Sequence, residues 1–193
     1  MKQLTSLAYN FSLTTGNANF STTATSSAIS INTVPLIGEE YIVGKYSVFS
    51  IADWFLSKSP MAHKKLQKLC YYAQAWFYTV RSIRLSDAVF EAWRHGPVSP
   101  VLYERFKEFG YSTIRIKDNF TSTIADEDVE LLEAVWRTYG DYTGNALEAL
   151  SHKEQPWIAA RKGYQPCERC NVRISLKSMK DYYKTIYCNA GEA

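Results

Sequence analysis

Residues 59–80, SPMAHKKLQKLCYYAQAWFYTV, constrain the fold most, because their apolar side chains recur at helical spacing. Ser59 and Pro60 are typical of a helix start, where a side-chain oxygen caps the first turn and proline needs no amide hydrogen. The sequence therefore predicts a long amphipathic helix at the centre of the fold. Its apolar face consists of Leu66, Leu69, Cys70, Ala73, Phe77 and Val80.

Helix signals recur along the rest of the chain. A second Ser-Pro pair, Ser99 and Pro100, favours a helix start, and Gly110 favours the end of that helix. The alternating residues 111–120 predict one strand of a small hairpin. Further helices are predicted at residues 47–58, 125–140, 143–154 and 175–187, with Thr143 as a cap. The expected fold is mainly α, a compact single-domain bundle of six or seven helices with a small β-hairpin and an irregular N-terminal arm.

Composition narrows the class of protein. The chain has 193 residues, of which 46% are hydrophobic, and this excludes a disordered chain. A net charge of +3, from 22 basic and 19 acidic residues, does not favour a nucleic-acid partner. No apolar run approaches the roughly 18 residues of a membrane span, and the N-terminus lacks a signal-peptide pattern. We therefore expect a cytoplasmic protein that has no membrane contact.

The stretch EAWRHGPVSP leaves three interpretations open. In an enzyme, His95 is a general base and Glu91 orients it. In a structural corner, Gly96 makes a sharp turn, Pro97 fixes its exit, and Trp93 is buried against the central helix, while His95 donates to a nearby carbonyl. A binding surface is the third interpretation. The structural corner is favoured, because the enzyme pairing is compatible with almost any local geometry.

A second histidine lies in SHKEQPW. A catalytic interpretation would combine His152 with Glu154, and His95 or Asp53 would join them. The simpler interpretation places His152 near a helix C-terminus, where a cation is favoured, and makes Trp157 a packing wedge. The sequence has no phosphate-binding loop, dinucleotide fingerprint or other standard catalytic signature, so no catalytic residue and no cofactor are assigned.

The cysteines give a weak metal signal. Cys167 and Cys170 in PCERC have a spacing that chelates zinc, and Cys188 with a histidine would complete four ligands. A zinc knuckle normally has a second tight pair, which this sequence lacks. A surface loop with incidental cysteines is therefore favoured, and Cys70 is expected in the core.

Three motifs in this order are specific in combination: KLQKL-x-YYAQ-x-W, EAW-x-x-GPV-x-P-x-LY and H-KE-x-PW. They resemble the Panacea domain, which is also described as SocA-like and phage-associated. The resemblance covers roughly residues 46–187. Residues 1–45, a Ser/Thr/Asn-rich arm or extension, and residues 188–193, a C-terminal tail, lie outside it. The arm and the PCERC loop depart from the common pattern, so both are candidates for partner-specific features.

The resemblance implies an antitoxin of a bacterial, phage or mobile-element toxin–antitoxin pair. Such a protein binds the toxin encoded beside it, and one branch of the family delivers its toxin to a ClpXP-type protease. An enzyme that uses His95 and His152 to reverse the toxin's modification is a further alternative, and homo-oligomerisation stays open. A DNA-binding autorepressor is the weakest interpretation, because no basic stripe extends beyond Lys64, Lys65 and Lys68.

The resemblance carries over to residues as positions with a structural or partner-binding role. It does not make any of them catalytic. Tyrosines and tryptophans are expected to anchor the toxin where they are exposed. The tyrosine candidates are Tyr71, Tyr72, Tyr103, Tyr182 and Tyr183, and core packing is expected to bury several of them. The positions that match the family pattern are Lys65, Lys68, Tyr72, Gln74, Trp76, Glu91, Trp93, His95, Gly96, Pro97, Tyr103, His152, Pro156 and Trp157.

Overall fold

The computed structural model describes residues 43–116 and 120–190, so most of the predicted arm lies outside the described residues. This part of the chain is mainly α, as the sequence predicts, and none of its helices has the length and apolar character needed to cross a membrane. The helices are α1 (Val48–Lys58), α2 (His63–Arg81), α3 (Pro100–Phe106), α4 (Asp126–Tyr139), α5 (Gly144–Ser151), α6 (Gln155–Ala160) and α7 (Leu176–Ala190). The strands are β1 (Met61–Ala62), β2 (Glu91–Trp93), β3 (Gly96–Val98) and β4 (Thr113–Ile114).

Helix α2 is the centre of the core. It packs against α1, α4, α5 and α7, so it is buried around most of its circumference and not only along the predicted stripe. Tyr71, Tyr72 and Trp76, which lie off that stripe, are also fully buried. The predicted start at Ser59 is wrong, because α2 begins at His63 after an extended segment, without a side-chain cap.

That extended segment belongs to one of two small antiparallel sheets. Strand β1 pairs with β4, and Met61 lies opposite Ile114. The prediction of a hairpin strand within residues 111–120 is therefore wrong in its pairing, since the partner strand lies about fifty residues earlier. The hairpin of this fold is β2–β3, in which Glu91 lies opposite Val98. Residues 117–119 are outside the described part.

Local signals place most of the other helix ends correctly. The Ser47 hydroxyl caps α1 and the Thr143 hydroxyl caps α5, each by accepting a backbone N–H from the first turn. Such a cap contributes about 1 kcal/mol. Ser99 and Pro100 begin α3 as predicted, although the Ser99 hydroxyl makes no cap bond. Gly110, with a φ of +52°, ends the short 3₁₀ turn that follows α3.

Candidate protein-binding surface

The β2–β3 hairpin is held very close to helices α2 and α5. Its turn consists of Arg94 and His95, and Gly96 follows with a φ of +90°. A Cβ on Gly96 would lie 2.7 Å from Cε of Lys68 and 2.8 Å from Oγ of Ser151. Only glycine satisfies both the backbone conformation and the close approach. The predicted sharp turn at Gly96 is therefore present, as the corner of a hairpin.

Two polar side chains of α2 support the second hairpin strand and its exit from inside the protein. Lys68 is 1% exposed, and its Nζ donates to the Pro97 carbonyl over 2.9 Å. Burial lowers the pKa of Lys68 to about 7. The Gln67 amide both accepts from the Ser99 N–H, at 2.8 Å, and donates to the Ser99 carbonyl, at 3.1 Å. Because these groups satisfy buried backbone atoms, they fix the hairpin and are not themselves exposed.

The tip of the hairpin is fixed by a carboxylate of α5. His95 Nδ1 lies 2.9 Å from Oε1 of Glu148, which also forms an ion pair with Lys64. Burial raises the pKa of Glu148, but the hydrogen bonds to Lys64 and His95 outweigh it and lower this pKa overall. His95 thus pairs with neither Glu91 nor a carbonyl, and both predictions for it are wrong. Its side chain remains 63% exposed.

Trp93 connects the hairpin to α3. Its Nε1 donates to Oε2 of Glu91 over 2.6 Å, so Glu91 has a local partner within the hairpin, while His95 pairs with Glu148. The Trp93 ring packs against the ring of Tyr103, with centroids 5.0 Å apart. The prediction that Trp93 is buried against the central helix is wrong, because its side chain is only half-buried and contacts α3.

Arg161 ties the loop after α6 to the hairpin. Its buried guanidinium donates to the carbonyls of Ala92, at 2.9 Å, Gln165, at 2.8 Å, and Glu168, at 2.9 Å. It also lies over the ring of Trp157, 5.2 Å from the centroid. Sequence reasoning missed this residue. The available signal was an arginine four positions after a tryptophan, a spacing that places both on one face of a helix.

Trp157 is a wedge, as predicted, between the hairpin and the end of α5. Its Nε1 donates to the Trp93 carbonyl over 3.0 Å, and its ring stacks on His152 with centroids 4.0 Å apart. His152 follows α5 directly, as the sequence predicts, but burial lowers its pKa and disfavours the expected cation. Its buried Nε2 has no hydrogen-bond partner within the described part.

Glu154 is an interior group and does not pair with His152. Its carboxyl is 1% exposed, and Oε2 accepts hydrogen bonds from Tyr183, at 2.8 Å, and Tyr72, at 3.3 Å. Burial raises the pKa of Glu154 to about 8. The predicted His152–Glu154 combination is therefore wrong, because the tyrosines bond to Oε2, and neither Oε1 of Glu154 nor Nε2 of His152 has a hydrogen-bond partner within the described part. Asp53 lies on α1, and burial raises its pKa as well.

The family-pattern positions divide into interior and surface groups. Among the candidate tyrosine anchors, Tyr71, Tyr72 and Tyr183 are fully buried, as expected for several of them, whereas Tyr103 is 41% exposed. Tyr182 is half-buried. The interior group consists of Lys68, Tyr72, Gln74, Trp76, Gly96, Pro97 and Pro156, and the half-buried or exposed group consists of Lys65, Glu91, Trp93, His95, Tyr103, His152 and Trp157.

Three of the surface positions, Trp93, His95 and Tyr103, line a groove of about 480 Å³ between the hairpin, α3 and the PCERC loop. Aromatic rings form one side, and the other lining side chains include two arginines and no carboxylate. Arg94 is exposed and makes no ion pair or hydrogen bond within the described residues. We call this the hairpin groove. Its lining residues are Trp93, Arg94, His95, Tyr103, Cys167, Arg169, Cys170 and Asn171.

The cysteines of the PCERC loop differ in exposure. Cys167 is exposed in the hairpin groove, and Cys170 is buried with its Sγ 3.9 Å from the Ala160 carbonyl. Cys188 is exposed on α7, and the thiol of Cys70 is buried in the core, as predicted. Within residues 43–116 and 120–190, no three His, Cys, Asp or Glu side chains are grouped to hold a metal ion.

The fold and this surface define a small, mainly helical domain built around one buried helix. The family profile described as "Antitoxin SocA-like, Panacea domain" matches residues 66–158, from the central helix through the hairpin to α6. Antitoxin SocA from Caulobacter vibrioides is 31% identical over 152 residues, which cover 70% of this chain and 81% of that protein. No solved structure matches the chain. The chain belongs to the SocA-like antitoxin family and carries its Panacea domain.

Proposed function

We propose that the protein is an antitoxin that neutralises a toxin encoded by a neighbouring gene through direct binding in the cytoplasm. Family membership supports the antitoxin role. The observation that supports direct binding is that the motif positions divide into an interior group and a surface group. Seven of them build the interior, whereas Trp93, His95 and Tyr103 remain accessible together around the hairpin groove.

Two properties of this surface support direct binding. The buried Lys68 and Arg161 hold the hairpin by hydrogen bonds to the carbonyls of Pro97 and Ala92, and Arg161 holds the PCERC loop by a hydrogen bond to the Glu168 carbonyl. A surface that is rigid before binding loses little conformational entropy when a partner docks. Tryptophan, tyrosine and arginine are also the side chains that most often dominate protein interfaces. Trp93, Tyr103 and Arg94 are therefore the expected contributors to affinity.

Co-expression with each flanking gene tests the proposal. We expect one flanking product to stop growth alone, to be harmless with this protein, and to be retained on it in a pull-down. The double variant Trp93→Ala/Tyr103→Ala should lose rescue and retention while its helical circular dichroism stays native, because each true hot spot contributes about 2 kcal/mol or more. Tyr111→Ala, at a fully exposed tyrosine, is the matched control.

The same experiment separates the other modes of neutralisation. Delivery to a ClpXP-type protease predicts that the toxin disappears from a host with that protease and accumulates in a host without it. Enzymatic reversal predicts rescue without a stable complex, and loss of rescue in His95→Gln. Light scattering on the purified complex gives its stoichiometry and shows whether the antitoxin binds as a homo-oligomer. If neither flanking product is toxic, the proposal is wrong.

A further inference from the structure

The geometry points to the chemistry of the partner. We propose that the hairpin groove binds an acidic segment of the toxin that carries an aromatic or large apolar side chain. This inference rests on the proposed function, because it assigns the segment to the toxin. It adds the type of sequence that the antitoxin recognises, which family membership does not supply.

The charges around the hairpin groove favour an acidic partner. Arg94 and Arg169 line it, and Arg94 has no charged partner in the described part of the chain. None of the nearby carboxylates lines the groove, and each already has a hydrogen-bond or ion-pair partner. Glu91 accepts from the Trp93 indole and Glu148 pairs with Lys64 and His95. Glu168, next to Arg169, accepts from a backbone N–H of its own loop.

The two arginines are therefore the permanently charged side chains among the residues that line the groove. An acidic segment would gain charge-assisted hydrogen bonds from their guanidinium groups without displacing an existing ion pair at Arg94. Opposite charge across the interface would also accelerate the encounter of the two proteins. A basic segment would meet uncompensated repulsion in the same place.

The walls of the groove favour an apolar or aromatic side chain in the same segment. The rings of Trp93 and Tyr103 are inclined by 60° to each other, so they form a corner and not a flat surface. Since the Trp93 indole N–H is occupied by Glu91, the ring offers the partner mainly its apolar face. The groove volume of about 480 Å³ lies in the range of sites that enclose a small ligand.

A polymer of the proposed chemistry tests the groove without the toxin. The probe is a random copolymer of glutamate and tyrosine, compared with a lysine–tyrosine copolymer of equal length and with a single-stranded oligonucleotide. Binding to the full chain is measured by fluorescence anisotropy at low and high salt. We expect the acidic copolymer alone to bind, more weakly at high salt. Arg94→Glu and Arg169→Glu should each weaken binding by about tenfold or more.

Lys184→Glu is the matched control, because it makes the same charge change at an exposed position on α7. The inference would be overturned if this control lost as much copolymer binding as the arginine variants. It would also be overturned if the basic copolymer bound as well as the acidic one, or if the acidic one did not bind. Preference for the oligonucleotide would assign the groove to nucleic acid and overturn it as well. A Trp93→Phe variant tests whether the copolymer binds in the hairpin groove. If it does, the quenching of indole fluorescence that the acidic copolymer causes in the natural protein should disappear in this variant.

Growth rescue distinguishes failure of this inference from failure of the proposed function. If Arg94→Glu and Arg169→Glu lose copolymer binding but still neutralise a flanking toxin, the toxin binds elsewhere and the inference is wrong, whereas the antitoxin role stands. If no flanking product is toxic but the copolymer binds as expected, the proposed function is wrong and the groove still recognises acidic segments.

Discussion

Replacing Glu154 by glutamine tests the reasoning about the buried carboxyl group. This group is 1% exposed and accepts hydrogen bonds from Tyr72 and Tyr183. Glutamine has nearly the same shape, is neutral at every pH, and keeps a carbonyl oxygen for the two hydroxyls. The substitution therefore removes the titration of residue 154 and leaves its main contacts in place.

The sign and size of the effect follow from the pKa. Burial raises the pKa of Glu154 from 4.5 to about 8, so the folded protein keeps a proton that the unfolded chain releases. This group contributes stability that is complete below pH 4.5 and is lost as the pH rises through about 8. One pKa unit corresponds to about 1.4 kcal/mol. From pH 5 to pH 7.5, the natural protein should therefore lose about 3 kcal/mol that Glu154→Gln keeps.

Urea unfolding at these two pH values, followed by circular dichroism, measures the difference in unfolding free energy between variant and natural protein. Burial also lowers the pKa of His63 to about 4 and that of Lys68 to about 7, but both proteins share these titrations, so they cancel in the difference. Glu130→Gln, at an exposed glutamate of α4, should show no such change. The reasoning is refuted if the difference for Glu154→Gln is the same at both pH values.

Two further substitutions test the packing around the hairpin. Gly96→Ala should lower the unfolding free energy by about 3 kcal/mol and Gly163→Ala by about 1 kcal/mol, because both have a positive φ but only Gly96 is crowded. Equal losses in urea unfolding would contradict the close approach. Arg161→Lys should cost about 2 kcal/mol or more, because an ammonium group cannot reach the same separated carbonyls. A thermal midpoint as little changed as that of Lys162→Ala, at an exposed neighbour, would contradict this role.

Most helices could be predicted because their signals are local. The Thr143 hydroxyl reaches a backbone N–H only three residues away, so the sequence contains both partners of the cap. The start of α2 could not be predicted in this way. Met61 is drawn into a strand by Ile114, which is far away in sequence, and this long-range pairing overrides the local Ser59–Pro60 signal.

In the candidate binding surface, too, local features could be predicted from the sequence and long-range contacts could not. The sequence indicated that the stretch around Gly96 is a sharp corner, because glycine and proline restrict the backbone locally. It did not show that His95 meets Glu148, which lies 53 residues later, or that Glu91 is occupied by Trp93. Without knowledge of those pairings, the sequence could not separate the enzyme interpretation from the structural interpretation, because both assign roles to the same residues.

The sequence by itself determined the helical class, most helix ends and the family, because these depend on periodicity, caps and motifs within short stretches of chain. Only the tertiary structure decided which motif residues are accessible. Tyr72 and Tyr103 are chemically identical candidates, but Tyr72 is enclosed within the core and Tyr103 faces the hairpin groove. The exposure of a side chain depends on every element that packs around it, and those elements come together only when distant segments of the chain meet.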